Sequence, residues 1–184
     1  LILILCVIVG IGACQAPSRH QLRADIRSAE DSLRNGRTES VKRMVSKHMD
    51  EAKDSDTYYA WLSIMNKVWY TEMNVDSLVS TSKRIHHYLS QHQQEPNVVR
   101  SQIEAEWYKT QGVYFSAILG MPDSAITYTQ KALEIAEGIN YSKDFRLIAL
   151  TNLAFYHKQL GKYDKSVDEY IQAMELADSM ENYS

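Results

Sequence analysis

A pattern of sixteen residues that occurs twice without a gap constrains the fold of this chain more than any other feature. Residues 120–135 align with residues 161–176, and Gly, Asp, Ala and Glu coincide at four pairs of positions. In both segments apolar residues recur every three or four positions, the period of an α-helix, after a turn that contains glycine. A repeated unit of this kind buries its apolar side only against its neighbours. The sequence therefore predicts an all-α protein built from repeated helical hairpins.

The helical period extends from about residue 19 to residue 181, and turn signals divide it at Asn35-Gly36, Asn74, Gly120 and Gly161. No alternating pattern typical of strands competes with it, and the low content of glycine (7) and proline (3) also disfavours a strand-rich fold. We predict eight helices, over residues 19–34, 38–53, 56–72, 76–91, 97–119, 122–138, 142–160 and 163–181. Their predicted N-caps include three aspartates whose carboxylates could accept amide protons of a first turn, Asp56, Asp76 and Asp123.

Charge and motif content argue against several classes of function. The chain has 20 basic and 23 acidic residues, a net charge of −3, and no basic stretch, so we expect no nucleic-acid partner. His86, His87 and His92 could be taken for a metal cluster, but His87 and His92 are five residues apart and point to different faces of a helix. His157 is expected in or near the core. No phosphate-binding loop and no hydrolase motif occurs. We therefore expect no catalytic residues, no metal and no cofactor.

The amino-terminal segment indicates export. Residues 1–13 carry no charged side chain, and as a helix they would span about 20 Å, too short to cross about 30 Å of hydrocarbon. This is the length of the apolar part of a signal peptide, so we expect that a Met and basic residues preceded Leu1. Residues 11–14 resemble a bacterial lipobox, which implies lipidation at Cys14 and a short linker over residues 14–18. The alternatives are an ordinary secretory signal cleaved nearby and a truncated anchor helix.

The repeated hairpins resemble the tetratricopeptide repeat (TPR) family. The best match is residues 147–180, with Ala154 in the first helix, Gly161 at the turn, and Ser166, Tyr170 and Ala173 in the second helix. The resemblance implies a right-handed α-solenoid over residues 19–184 with about four TPR-like pairs. The expected units are residues 19–55, 56–95, 97–140 and 142–181.

Small residues allow two helices to approach closely where they cross. The TPR register places the following residues at packing or turn sites: Ala29, Ala125, Ala132, Ala154, Gly161, Ser166 and Ala173. It also assigns Val113 to the small site of the third unit's first helix. The fit weakens toward the amino terminus, where Val41 and His48 occupy the equivalent positions of the second helix. A generic helical bundle is the alternative explanation.

In the TPR family the first helix of each pair lines a concave surface that binds peptides or proteins. The groove positions of the family correspond here to Lys67, Tyr70, Trp107, Tyr114, Phe155 and Lys158. Aromatic rings and cations could hold an extended peptide or a helix, although each ring could instead be packed between repeats. The Lys, Asn and Arg clamp with which some TPR domains bind a terminal carboxylate is absent.

These features together indicate a non-catalytic interaction module, exported and anchored in the cell envelope, that binds a protein or peptide. The chain resembles the exported TPR sensing regions of Bacteroidetes signalling regulators. A free-standing TPR lipoprotein that scaffolds an envelope or nutrient-uptake complex is the alternative, and a small enzyme on an α-helical scaffold is a third hypothesis. One side of the last helix carries apolar residues that need a further helix, a partner or a second copy: Val167, Tyr170, Ile171, Met174 and Leu176.

Overall fold

The chain is all-helical in a computed structural model that describes residues 19–93 and 97–181. Each helix ends within two residues of its predicted bounds, so the predicted fold class is confirmed. The predicted signal segment 1–13, the linker 14–18 and Cys14 lie outside the described residues. The helices are α1 (Arg19–Arg34), α2 (Thr38–Glu51), α3 (Ser55–Thr71), α4 (Val75–Gln91), α5 (Val98–Ala117), α6 (Pro122–Gly138), α7 (Lys143–Gln159) and α8 (Tyr163–Glu181).

The helices form two layers. Helices adjacent in the chain pack against each other, and the odd-numbered helices also touch one another, α1 with α3, α3 with α5, and α5 with α7. Within residues 19–93 and 97–181, no two even-numbered helices are in contact. When the helices of one layer touch and those of the other layer are spread apart, the whole array curves. The layer whose helices touch then lies on the inner, concave side. The odd-numbered helices therefore line an inner face, as in a helical repeat solenoid.

Small side chains lie at the helix crossings. Ala29, Ala125, Ala132 and Ala154 are completely buried, and Ser166 and Ala173 are almost so. Side chains of this size leave the two backbones close enough for dense packing. Gly161 lies in the α7–α8 turn with a φ of 70°, a left-handed conformation that glycine adopts without strain.

One small site lies one residue away from the predicted position. A Cβ atom on Gly112 would lie 2.2 Å from Thr129 Oγ1 and 3.1 Å from the carbonyl oxygen of Ala125, so α5 and α6 cross at this glycine. The assignment of Val113 to that site is wrong, because Val113 lines a pocket on the inner face. Four residues connect α5 to α6 and three connect α7 to α8, so the fixed TPR spacing fails there by one position.

The three predicted N-caps are also wrong. Asp54 caps α3 by accepting a hydrogen bond from the Thr57 amide at 2.8 Å, and Asn74 caps α4 through the Ser77 amide at 3.1 Å. Helix α6, for which Asp123 was the predicted cap, begins with a proline and has no side-chain cap. The three predicted caps lie instead in the first turns of their helices: Asp56, Asp76 and Asp123. A negative charge there still stabilises the helix, because it interacts favourably with the positive end of the helix dipole.

Asp56 has a tertiary role instead. Its carboxylate accepts hydrogen bonds from Asn97 Nδ2 at 2.7 Å and Arg100 Nε at 2.8 Å, and one from the Tyr88 hydroxyl. Burial tends to raise the pKa of Asp56, but the bonds from Tyr88 and Arg100 outweigh that effect and lower it. This contact joins the start of α3 to α4 and to the start of α5.

Candidate functional site

The inner face contains a group of polar and charged side chains contributed by three helices and a turn, of which Glu106 and Lys109 are buried and the others half-buried. We call Glu30 of α1, Lys67 of α3, Glu106 and Lys109 of α5, and Tyr141 of the α6–α7 turn the ionic cluster. Glu106 and Lys109 are three residues apart on one helix, so their side chains lie on the same side of α5. The contacts between odd-numbered helices bring Glu30 and Lys67, which are 37 residues apart in the chain, to the same place.

Every member of the ionic cluster is paired within it. Lys67 Nζ lies 2.9 Å from Glu106 Oε1 and also pairs with the Glu30 carboxylate. Lys109 Nζ lies 2.8 Å from Glu106 Oε2, and it lies 4.4 Å from the centroid of the Phe145 ring. The Tyr141 hydroxyl donates a hydrogen bond of 3.3 Å to Glu106 Oε1. Glu106 is therefore the centre of the cluster, held by two ammonium groups and a phenol.

The pKa values follow from this arrangement. Burial alone would raise the pKa of Glu106, but the charges of Lys109 and Lys67 lower it to about 2, so the carboxylate is ionised at neutral pH. Burial alone would lower the pKa of Lys67, but Glu106 and Glu30 together raise it above its ordinary value. Burial lowers the pKa of Lys109, which has only one carboxylate close by, and burial together with Glu106 raises that of Tyr141.

Two pockets lie on the inner face on either side of the ionic cluster. Both are lined by Glu30, Lys67, Glu106 and Tyr141. The first inner pocket has a volume of about 230 Å³ and extends toward the beginning of α1 and α5. The second inner pocket has a volume of about 370 Å³ and extends toward the ends of α1 and α3.

The second inner pocket combines an apolar wall with charged groups. Its apolar lining comes from four helices, namely Leu33, Tyr70, Val113, Phe145 and Ile148. Arg34 and Asp144 also line it, and Arg34 Nη1 lies 3.9 Å from Asp144 Oδ1, so side chains from the end of α1 and the start of α7 meet across this face. Pockets that bind small molecules or peptide side chains usually have this composition, mostly apolar with a few polar groups that fix orientation.

The structure brings together only part of the predicted groove. Lys67 and Tyr70 both line the second inner pocket, but Lys67 is engaged in the ionic cluster. Trp107 and Tyr114 line a different pocket, of about 300 Å³, between α4 and α5. Trp107 donates a hydrogen bond of 3.1 Å from Nε1 to the carbonyl oxygen of Ser82 and is thus fixed against α4.

The remaining two predicted groove residues are exposed on α7. Phe155 is 47% exposed, and Lys158 is exposed at the last turn of that helix. Ile148 lies seven residues before Phe155, so the two side chains share one side of α7. Of these two, Ile148 is the residue that reaches the second inner pocket.

Sequence reasoning missed four members of the ionic cluster, Glu106, Lys109, Glu30 and Tyr141. A signal for the first two was present, because a Glu and a Lys three residues apart lie on one side of α5 between Ile103 and Val113. Tyr141 had no comparable signal. Its place depends on the α6–α7 turn, where Asn140 adopts a φ of 48°.

No metal centre is apparent in the part of the chain that the structure describes, where no three His, Cys, Asp or Glu side chains are grouped suitably. Two of the three closely spaced histidines contact different groups. His86 stacks on Trp107 with ring centroids 4.8 Å apart, while His92 Nδ1 lies 2.8 Å from the carbonyl oxygen of Tyr88. None of the eight described helices has the length and apolar composition needed to cross a membrane.

Comparison with known proteins identifies no relative. No family model matches the chain, and neither a curated protein nor a solved structure matches it. The all-helical architecture is therefore established by the structure, whereas membership of the TPR family stays a prediction.

Proposed function

We propose that this protein is a non-catalytic interaction module whose inner face binds a segment of a partner protein or a peptide. The observation that carries the proposal is the second inner pocket, where Tyr70, Phe145 and Ile148 form an apolar wall beside paired charges. Tyr70 is 36% exposed and Ile148 is 40% exposed, so both have apolar surface left for a ligand. An apolar side chain of the ligand would fill the pocket, and its backbone would face the polar groups at the rim.

The charges of the site favour binding over catalysis. Glu106 is ionised and held by Lys67 and Lys109, so it is a poor proton donor or acceptor near neutral pH. Such a cluster instead gives the floor of the pocket a fixed shape and a balanced charge. A rigid floor reduces the ordering cost when a ligand binds.

The TPR-like spacing and the lipobox-like residues 11–14 also support a proposal about where in the cell the protein is located. We propose that the module is exported and anchored to a membrane through a lipid on Cys14, as the ligand-sensing part of a signalling protein. Labelling cells that make the full-length protein with a fatty-acid analogue tests the anchor. Label should enter the protein and disappear with Cys14→Ser, and label that survives this substitution would contradict lipidation at Cys14.

Peptide selection tests the binding site. Peptides selected from a random displayed library against the protein should bind at least about tenfold more weakly to the double variant Tyr70→Ala, Ile148→Ala. The matched control is Trp107→Ala, Tyr114→Ala, which removes two large side chains from the pocket between α4 and α5. Equal weakening by both double variants would remove the second inner pocket from the proposal.

A further inference from the structure

The outward side of α8 carries a continuous line of exposed apolar side chains. Tyr163, Val167, Tyr170 and Met174 are 65%, 55%, 37% and 66% exposed. They follow one another at intervals of four, three and four residues, so they form a single stripe along the helix. Ile171 adjoins this stripe and is 48% exposed. We call these five residues the α8 stripe.

This stripe differs from the other exposed apolar residues of the described chain. Those residues occur singly or in pairs on different elements, such as Val98 at the start of α5 and Leu119 and Met121 in the α5–α6 turn. Single exposed apolar residues are ordinary, but a contiguous apolar patch marks an interaction surface. The α8 stripe has the spacing with which one amphipathic helix receives another.

An acidic edge runs beside the α8 stripe. Four acidic residues each come one or four positions after a member of the α8 stripe in the sequence. Their carboxylates therefore lie along one side of the stripe: Asp164, Asp168, Glu175 and Asp178. Over its whole length α8 has six acidic residues and one basic residue, Lys165, although one of the six, Glu169, pairs with His157 of α7. The charge next to the apolar surface is therefore negative.

This charge distribution discriminates between the possible occupants. Two copies of α8 packed against each other would bring two helices of the same negative charge together, which is unfavourable. A helix that carries Lys or Arg beside its own apolar stripe would gain both apolar burial and charge attraction. We propose that the α8 stripe binds a basic amphipathic helix of another protein. This surface is separate from the inner pockets, so it can be correct when the proposed function is wrong.

Two synthetic helical peptides test the proposal. Both have leucines at the same positions, and one has lysines beside the leucines where the other has glutamates. Fluorescence anisotropy with the full chain should show that the lysine peptide binds at least about tenfold more tightly. Its affinity should fall as salt is added, because the attraction between exposed charges is screened. Equal binding of the two peptides would overturn the charge argument.

Uncharged substitutions show where the lysine peptide binds. Val167→Ser together with Met174→Ser should weaken binding at least about tenfold. The matched control, Leu119→Ser together with Met121→Ser, removes apolar groups of similar exposure elsewhere and should leave binding unchanged. Equal loss in both double variants would contradict binding at the α8 stripe.

Charge reversal provides the sharpest outcome. Asp168→Lys together with Glu175→Lys should abolish most of the preference for the lysine peptide, because the edge would then carry two lysines beside Asp164 and Asp178. The inner-pocket variant Tyr70→Ala, Ile148→Ala should bind the lysine peptide like the unmodified chain, which separates this proposal from the proposed function. A dimer in light scattering that Met174→Ser dissociates would overturn the proposal in favour of a second copy.

Discussion

The two halves of the molecule form the same helical hairpins with different core side chains. In α2, α3 and α4 the core contains large side chains, among them Trp61, Ile64 and Ile85, all at most 2% exposed. In α5, α6 and α7 half of the buried apolar residues are completely buried alanines, namely Ala105, Ala125, Ala132, Ala136, Ala149 and Ala154. Alanine-sized contacts let helices approach closely, whereas large side chains fill a wider space between them.

This difference explains why the repeat pattern fades toward the amino terminus. Small residues such as Ala132 and Ala173 recur in the repeated segments, so a core that uses large side chains does not show this repeat in the sequence. The hairpins themselves persist, because the helices of α1–α2 and of α3–α4 still pack against each other, although less extensively than those of α5–α6 and α7–α8. The repeat is therefore hard to recognise in the amino-terminal half because the size of the core side chains changes there, while the helical hairpins remain.

The largest expected effect is on the large-residue core. Trp61 is 1% exposed and stacks on His48 with ring centroids 4.3 Å apart. Trp61→Ala should lower the free energy of unfolding by about 3–5 kcal/mol, since it removes a large buried side chain and leaves a cavity. Chemical denaturation measures this change. The control is Trp69→Ala on the same helix, because Trp69 is only half-buried and its removal should lower the free energy of unfolding less. Equal decreases in the two variants would contradict a core centred on Trp61.

A second effect concerns the ionic cluster, which joins the two halves through Lys67 and Glu106. The pKa of Glu106 is about 2 in the folded chain against an ordinary value of 4.5, so its ionised form stabilises the fold above pH 4.5. That stabilisation, about 3 kcal/mol, should be lost as the pH falls from about 4.5 to about 2. Urea unfolding at several pH values should show a smaller loss over this range in Glu106→Gln.

Glu104 provides the control for that pH dependence. It lies on the same helix, but burial raises its pKa instead of lowering it. Glu104→Gln should therefore retain the loss of stability between pH 4.5 and pH 2 that Glu106→Gln reduces. If the two variants behave alike, the pairing of Glu106 with the two lysines is not the source of the acid sensitivity.

The smallest effect tests the close approach of helices in the second half. Gly112→Ala should destabilise the chain by about 1–2 kcal/mol, because the new Cβ would collide with Thr129 and approach the backbone at Ala125. Gly138→Ala is the matched control, since nothing lies within 4 Å of a Cβ there and alanine favours a helix. Thermal unfolding should show a lower melting temperature for Gly112→Ala and no decrease for Gly138→Ala. A stabilised Gly112→Ala would show that α5 and α6 can separate at no cost.

Local features of the sequence were sufficient for the helices but insufficient for the site. The apolar period and the glycine turns predicted every helix within two residues, because both signals depend on neighbours in the chain. The N-caps failed at a finer level, since Asp54 and Asn74 cap helices for which Asp56 and Asp76 were predicted. The second inner pocket contains two of the six predicted groove residues, Lys67 and Tyr70.

Only the tertiary structure decided which distant residues meet. Glu30, Lys67 and Glu106 come from three helices, and their pairing depends on how each helix is rotated about its axis and how far along it crosses the next. A one-residue difference in a connection shifts that rotation by about 100°, as the exchange of Val113 for Gly112 illustrates. The sequence alone determined the helices and their apolar sides, because those follow from interactions within a few residues, whereas the inner pockets arise from contacts between helices far apart in the chain.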